Sequence, residues 1–426
     1  MPSIPACGLA EMVTLPEHGC PRDEVRRRLS LAQTDDIRPV ERMVAGAQYP
    51  AGDDVLDVAK DAFVEFFSTN ALLPSLFPSL ATFERDVISM TAHLLHGQQA
   101  VGSITSGGSE SILMGVKSAR DRARLHHPQI RTPQMVVPVS AHPAFWKAAH
   151  YFGLEVVRVP LDDQFQLDMG AYRSAITANT VLLVGSAPSL TLGMVDPIED
   201  LGKLALERNI GLHVDACVGG FFLPFVEKLG VSLPVWDFRV AGVTTISADL
   251  HKYGYAAKGA SVILSRDAEV FSHQIFRFGG PDRQEDWYVT PGMTGTRPGG
   301  AVAAAWAVMM FLGEDGYLRL VKQTLEYLRR WWAAIDAIPG LEVMGRPTMS
   351  VFAFTSRSLD IFAIADGLEE RGWLLFRDSF PIKAIRFMQS PGHEAYVDKF
   401  MADLREVTEL VRNGELTSAG GAARYT

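Results

Sequence analysis

Between about residues 81 and 265, short apolar runs rich in β-branched residues alternate with stretches of helical spacing. The runs fall at 135–139, 155–160, 181–184, 212–214, 243–247 and 261–264, and the spacing and terminal charges of 110–127 and 197–208 predict helices between them. Strands and helices in alternation predict an α/β domain with a mostly parallel sheet covered by helices, in which ligands sit beyond the carboxyl ends of the strands. Before it, residues 1 to about 80 mix proline, charge and short helical patterns, which suits an N-terminal arm lying over the body or over a partner subunit. After Thr290-Pro291-Gly292, helical patterns at 301–312 and 317–335 lead into 341–355, 360–371 and 382–388. The expected division is therefore an arm over 1–80, a large domain over 81–300 and a smaller C-terminal α/β domain over 301–426.

Composition narrows the classes of function. A chain of 426 residues with 47% apolar content is larger than one hydrophobic core supports, in keeping with two domains. The net charge of -9 offers no basic surface to nucleic acid or anionic membrane. Cys7, Cys20 and Cys217 are too few and too scattered for a disulfide framework or a thiolate metal cluster. The longest strongly apolar stretch, 301–312, is short of the roughly 20 residues that span a bilayer. With Glu11 and Glu17 near the start and no basic-then-apolar signal, the expectation is a soluble cytoplasmic protein without a transmembrane segment or bound metal.

Four short motifs carry chemistry. Thr105-Ser106-Gly107-Gly108-Ser109-Glu110-Ser111 is a glycine turn feeding a helix, where free N–H groups and the helix dipole would receive a phosphate; an ordinary helix start with Ser109 as N-cap reads the same. Asp215 ends the apolar run 212–214, and a carboxylate buried there needs a cation such as a protonated pyridine nitrogen, or else backbone N–H groups. Lys252, in Ser247-Ala248-Asp249-Leu250-His251-Lys252-Tyr253-Gly254, follows another such run, where a turn can deliver a partly desolvated amine for imine formation. An isolated loop lysine is otherwise a solvated charge. The 37 positions from Asp215 to Lys252 span one crossover, which lets both lie on one sheet edge. His142 follows a further strand and can stack on a flat ring, or simply start a helix.

In this order the motifs resemble the pyridoxal-5′-phosphate (PLP) dependent group II decarboxylase superfamily of fold type I, and within it the sphingosine-1-phosphate lyase family of the soluble bacterial type. The resemblance covers about residues 15–412 and is strongest at the four motifs, at Tyr255-Ala256-Ala257-Lys258-Gly259 and at Gly295-Thr296-Arg297-Pro298-Gly299-Gly300. It implies an aspartate aminotransferase-like large domain with a seven-stranded, mostly parallel sheet. It implies PLP held as a Schiff base by Lys252, with Asp215 on the pyridine nitrogen, His142 stacked on the ring, and Gly108, Ser109 and His251 at the phosphate. Family members are homodimers with shared sites, so Gly299 is expected to reach the phosphate from the partner chain. Lys258 stands where the lyases keep a second lysine near the substrate, and Tyr49 and Asn70 match arm positions that approach it. A loop charge, a buried tyrosine hydroxyl and a helix-capping asparagine are the plainer readings of those three.

The resemblance weakens on the substrate side. Leu73 stands where the family has a histidine, Ser186-Ala187-Pro188-Ser189-Leu190-Thr191-Leu192-Gly193 lacks its aromatic and its His or Tyr, and 284–288 replaces a glycine-rich element. The expected activity is retro-aldol cleavage of a 2-amino-3-hydroxy substrate such as sphingosine 1-phosphate, giving a fatty aldehyde and phosphoethanolamine. The alternatives are an amino-acid decarboxylase, an aldolase acting on a non-phosphorylated substrate, or a non-catalytic protein on a retired PLP fold.

Overall fold

The computed structural model describes residues 14–34, 36, 48–279, 288–345, 347–379 and 382–418. The chain divides into a short unit, Met1–Arg42, and a long one, Met43–Thr426. In the short unit, helix α1 (Arg22–Ala32) buries no residue and carries a Glu24 carboxylate clasped by Arg27 and Arg28.

The long unit is built on two sheets. The larger comprises β1 (Val101–Thr105), β2 (Gln134–Pro138), β3 (Glu155–Val159), β4 (Thr180–Ser186), β5 (Gly211–Asp215), β6 (Thr245–Ala248) and β7 (Ser261–Ser265), in the order β1-β7-β6-β5-β4-β2-β3. The pairs from β3 to β6 are parallel, whereas β7 runs antiparallel to both β6 and β1. Two reversals restore β1 to the direction of β6. Its carboxyl end therefore lies on the same edge as those of β2, β5 and β6.

The helices of this region are α2 (Asp53–Glu65), α3 (Pro78–Leu94), α4 (Gly108–His126), α5 (Ala144–Phe152), α6 (Met169–Ala175), α7 (Ile198–Arg208), α8 (Leu223–Lys228) and α9 (Ala268–Ser272). Strands β4 to β7 are buried along their whole length, as expected of a sheet covered on both faces. A short hairpin, β8 (Phe276–Phe278) with β9 (Tyr288–Thr290), follows α9.

Helix α10 (Gly299–Asp336) joins the two sheets. The patterns at 301–312 and 317–335 are its two segments, and the bend between them is Gly313, whose φ of 55° suits glycine. Among the described residues α10 is the one helix long and apolar enough to cross a membrane, a length that the reading of 301–312 alone did not anticipate. Its apolar face is buried in the protein, with Val302, Val308 and Leu320 in the core of the larger sheet and Trp331 and Ile335 in that of the smaller. The second sheet is antiparallel, β10 (Glu342–Val343), β11 (Val351–Thr355), β12 (Phe376–Asp378) and β13 (Ala384–Met388), in the order β10-β11-β13-β12. With α10, α11 (Ile361–Glu370) and α12 (Val397–Arg412), it encloses Trp331, Phe352, Phe387 and Phe400, whose rings pack at centroid distances of 5.2 to 5.8 Å.

Candidate active site

The carboxyl edge of the larger sheet closes around a cavity of about 380 Å³. Ser106, Gly107, Gly108 and Ser109 line it after β1, His142 after β2, Asp215 and Cys217 at the end of β5, and Asp249, His251 and Lys252 after β6. Parallel pairing that sets Asp215 beside Ser247 brings the aspartate and the lysine loop to one edge.

The glycine turn is held from both sides. Glu110 Oε2 accepts from Ser106 N at 2.7 Å and Ser106 Oγ at 2.6 Å, while its Oε1 accepts from Met293 N at 2.7 Å. The helix starts two residues earlier than an N-cap at Ser109 would have it. Gly107, with φ 157°, is the N-cap and supplies no side chain, so Ser109 lies inside the first turn. A Cβ on Gly108 would fall 2.7 Å from Asp249 Oδ1 and 2.8 Å from Cys217 Sγ. Only glycine lets the Asp249 carboxylate lie this close beneath the turn.

Asp249 is 2% exposed, and its Oδ2 pairs with Lys252 Nζ at 2.9 Å, with His251 Nε2 3.7 Å away. Its Oδ1 is buried without a hydrogen-bond partner among the described residues. Burial would raise its pKa, but Lys252 and then His251 outweigh this and lower it. Lys252 shows the reciprocal effect. Burial works against its ammonium form, yet the neighbouring Asp249 carboxylate holds its pKa above the ordinary lysine value.

Asp215 Oδ1 accepts from Cys217 N at 3.0 Å and from Ser247 Oγ at 3.4 Å. Behind it, His213 bonds Thr245 Oγ1 at 2.9 Å and Ser247 Oγ at 3.2 Å, and burial depresses its pKa to about 4, so this ring is neutral. His142 is half-buried, and its Nδ1 accepts from Ala144 N at 3.1 Å, which leaves the ring proton on Nε2. Burial lowers its pKa, with Asp215 opposing. His251 Nδ1 likewise accepts from Ala260 N at 3.3 Å, and its pKa too is lowered by burial.

Lys258 Nζ donates to His251 O at 3.1 Å and stands 5.0 Å over the Tyr49 ring. The side chain keeps an exposed face, but desolvation and then the charge of Lys252 bring its pKa down to about 8. Tyr49 meets Tyr253 edge-on at 4.9 Å and donates to Met388 Sδ at 3.6 Å. Lys258 and Tyr49 thus adjoin the Lys252 loop.

Asn70 and Gly299 do not line this cavity; they lie beside each other. Asn70 bridges to Pro298, and its Oδ1 accepts from Leu72 N at 3.0 Å and Arg297 N at 3.2 Å, while Gly299 N donates to Thr69 O at 3.0 Å. Within one chain the Asn70 carboxamide is therefore engaged, its oxygen by backbone groups and its Nδ2 by donation to Thr296 Oγ1 at 3.4 Å. Leu73 is 43% exposed, and residues 284–287 of the divergent 284–288 segment lie outside the described residues. Asp249 and Glu110 lie within the motifs, and their roles come from the folded geometry. The available signal for Asp249 was its position three residues before Lys252, directly after a buried strand.

The residues present fit PLP. The α4 N-terminus offers N–H groups to a phosphate, Asp215 is a buried anion suited to a ring nitrogen, and Lys252 is an amine between them. Comparison with known proteins agrees. A family model for the pyridoxal-dependent decarboxylase conserved domain matches residues 41–356. The chain is 43% identical over 368 residues to a sphingosine-1-phosphate lyase of Arabidopsis thaliana, an alignment covering 84% of this chain and 66% of that protein. Among solved structures it is similar to a sphingosine-1-phosphate lyase of Burkholderia pseudomallei, at 38% identity and a TM-score of 0.89 over 96% of this chain and 95% of that one. A Lactobacillus brevis glutamate decarboxylase, 20% identical, shares the fold with a TM-score of 0.80 over 94% of this chain and 95% of that one.

Proposed function

Since the chain belongs to the pyridoxal-dependent decarboxylase family and, within it, to the sphingosine-1-phosphate lyase-like members, we propose that it cleaves the Cα–Cβ bond of a 2-amino-3-hydroxy substrate of the sphingosine 1-phosphate type, giving a long-chain aldehyde and phosphoethanolamine. The observation that carries this reading is the one cavity shared by Lys252, Asp215, His142 and the glycine turn. The cofactor is PLP, which when bound supplies the electron sink for the pair left by the broken bond.

In this reading the residues divide the work. Lys252 is the amine to which the cofactor would attach. It reacts only as the free amine, and the Asp249 carboxylate 2.9 Å away favours its ammonium form, so Asp249 sets the pH at which it becomes reactive. The Asp215 carboxylate keeps a proton on the pyridine nitrogen. His142, neutral and fixed by Ala144 N, offers a flat face to the ring. Gly108, Ser109 and His251 receive the phosphate. Lys258, charged below about pH 8, pairs with the anionic headgroup of the substrate, with Tyr49 beside it. The Lys252 amine, when not engaged with the cofactor, would also be the base that takes the 3-hydroxyl proton.

The assembly proposed is a cytoplasmic homodimer, in which the paired Asn70 and Gly299 segments reach the partner's cavity. Sedimentation or light scattering of the PLP-loaded chain reports the dimer. The activity is tested by incubating the holoenzyme with sphingosine 1-phosphate and identifying products. A long-chain aldehyde formed in step with phosphoethanolamine is expected; carbon dioxide from amino acids with no aldehyde from amino alcohols would replace this reading by a decarboxylase.

A further inference from the structure

At the end of α4 opposite the cavity, three metal-binding side chains meet. His126 is the last residue of α4, while Glu269 and His273 stand four apart on α9 and its C-cap. Glu269 Oε1 lies 3.0 Å from His273 Nε2 and 3.6 Å from His126 Nε2. The three ligand atoms are all within 4.8 Å of one another. The imidazole rings are 6.0 Å apart at 79°, so they converge from two directions and do not stack.

A tetrahedral ion with N and O bonds of about 2.0–2.1 Å separates neighbouring ligand atoms by about 3.4 Å. The two contacts of Glu269 fall on either side of that value, and the histidine nitrogens lie within 4.8 Å of each other. His273 is the fixed member. Its side chain is 11% exposed, and its carbonyl accepts from Lys117 Nζ at 2.9 Å. His126 and Glu269, about half exposed, leave an approach from solvent.

Two cations adjoin the cluster. Lys117 is occupied by Asp121 at 3.0 Å. Arg122, one turn before His126, has its Nε 3.5 Å from Glu269 Oε1. A guanidinium there opposes a bare cation. Because it meets Oε1, the oxygen that also faces both histidines, it has to turn to Oε2 when the ion takes Oε1, and there it orients the carboxylate as outer-shell partners of metal ligands do. Two imidazoles with one carboxylate suit zinc and its transition-metal neighbours rather than magnesium or calcium, which take all-oxygen shells.

We propose that His126, Glu269 and His273 form a divalent transition-metal site, completed by water, that ties the C-terminal end of α4 to α9. The site is separate from the cofactor cavity and does not depend on the substrate assigned above. Its ligands must be unprotonated at nitrogen, so acidification weakens it.

The test is a calorimetric titration of zinc chloride into the PLP-loaded chain carrying no affinity tag. One ion per chain is expected, with a thermal midpoint that climbs with zinc concentration and does not respond to magnesium. His126→Ala or His273→Ala weakens zinc binding by more than the roughly 10–100-fold that losing an outer-shell partner costs, and the double variant abolishes it. Turnover without zinc stays at the wild-type rate in all three, which shows that they fold. The absence of saturable binding, an equal response to magnesium, or undiminished affinity in the double variant overturns the proposal, the last marking an adventitious ion only.

Discussion

Around Lys252, two buried aspartates and two imidazoles share one cavity with the lysine, whereas under the four-stranded sheet Trp331, Phe352, Phe387 and Phe400 are packed ring against ring. In the aromatic core each ring packs against other rings of the same chain. The cavity is built from charge instead: among the described residues Asp249 Oδ1 is buried and unpartnered, and the lysine is held by an aspartate it must release. One region spends its sequence on stability and the other on readiness to bind. Substitutions in the two should therefore be separable by what they change.

The largest effect is expected at Lys252. Lys252→Ala should abolish the visible absorbance of the PLP-loaded protein and reduce aldehyde release by about three orders of magnitude or more, within reach of a product assay. Trp331→Ala should do the reverse, costing about 3–5 kcal/mol in denaturant unfolding while turnover per folded molecule holds. Loss of turnover without loss of stability there would erase the distinction between the regions. Asp249→Asn comes next. With the carboxylate gone, the largest influence opposing burial at Lys252 is lost, its proton leaves more readily, and the pH midpoint of cofactor attachment, followed by absorbance, should fall by at least about one unit.

Lys258→Met probes the edge of the cavity. Because Lys258 is cationic below about pH 8 and neutral above it, KM for a phosphorylated substrate should rise through that pH in the wild type. In the variant KM should be raised by roughly tenfold at neutral pH, about the worth of one ion pair in a partly buried site, and should be flat across the same range. The smallest effect is expected for the exposed pair Arg357–Glu342, with side chains 74% and 43% exposed: Arg357→Ala should shift unfolding by less than about 0.5 kcal/mol.

Much of both regions could be read from the sequence. Strands β4 to β7 announce themselves as apolar runs because the sheet is covered on both faces there, and Asp215 and Lys252 are legible because each follows such a run. Strand β1 is not, since Val101-Gly102-Ser103-Ile104-Thr105 has no continuous apolar stretch and owes its place to antiparallel pairing with β7 far along the chain. Nor could motif spacing reveal that Asp249 faces Lys252, because that contact depends on the turn after β6 and on the missing side chain of Gly108. Asn70 and Gly299, over 200 positions apart, are neighbours through a backbone bridge that no local pattern encodes.

The antiparallel placement of β7 also has a consequence in time. Thr105, which leads into the glycine turn, has Ser261 as its register partner, 156 positions later. On a ribosome adding about 5–20 residues per second, β1 waits about 8–30 s for its only neighbour in the sheet. The turn is thus among the first parts of the cavity to be synthesised and among the last to be fixed. A nascent chain released before β7 emerges would carry every residue of the glycine turn, together with Asp215 and Lys252, and still have no cavity.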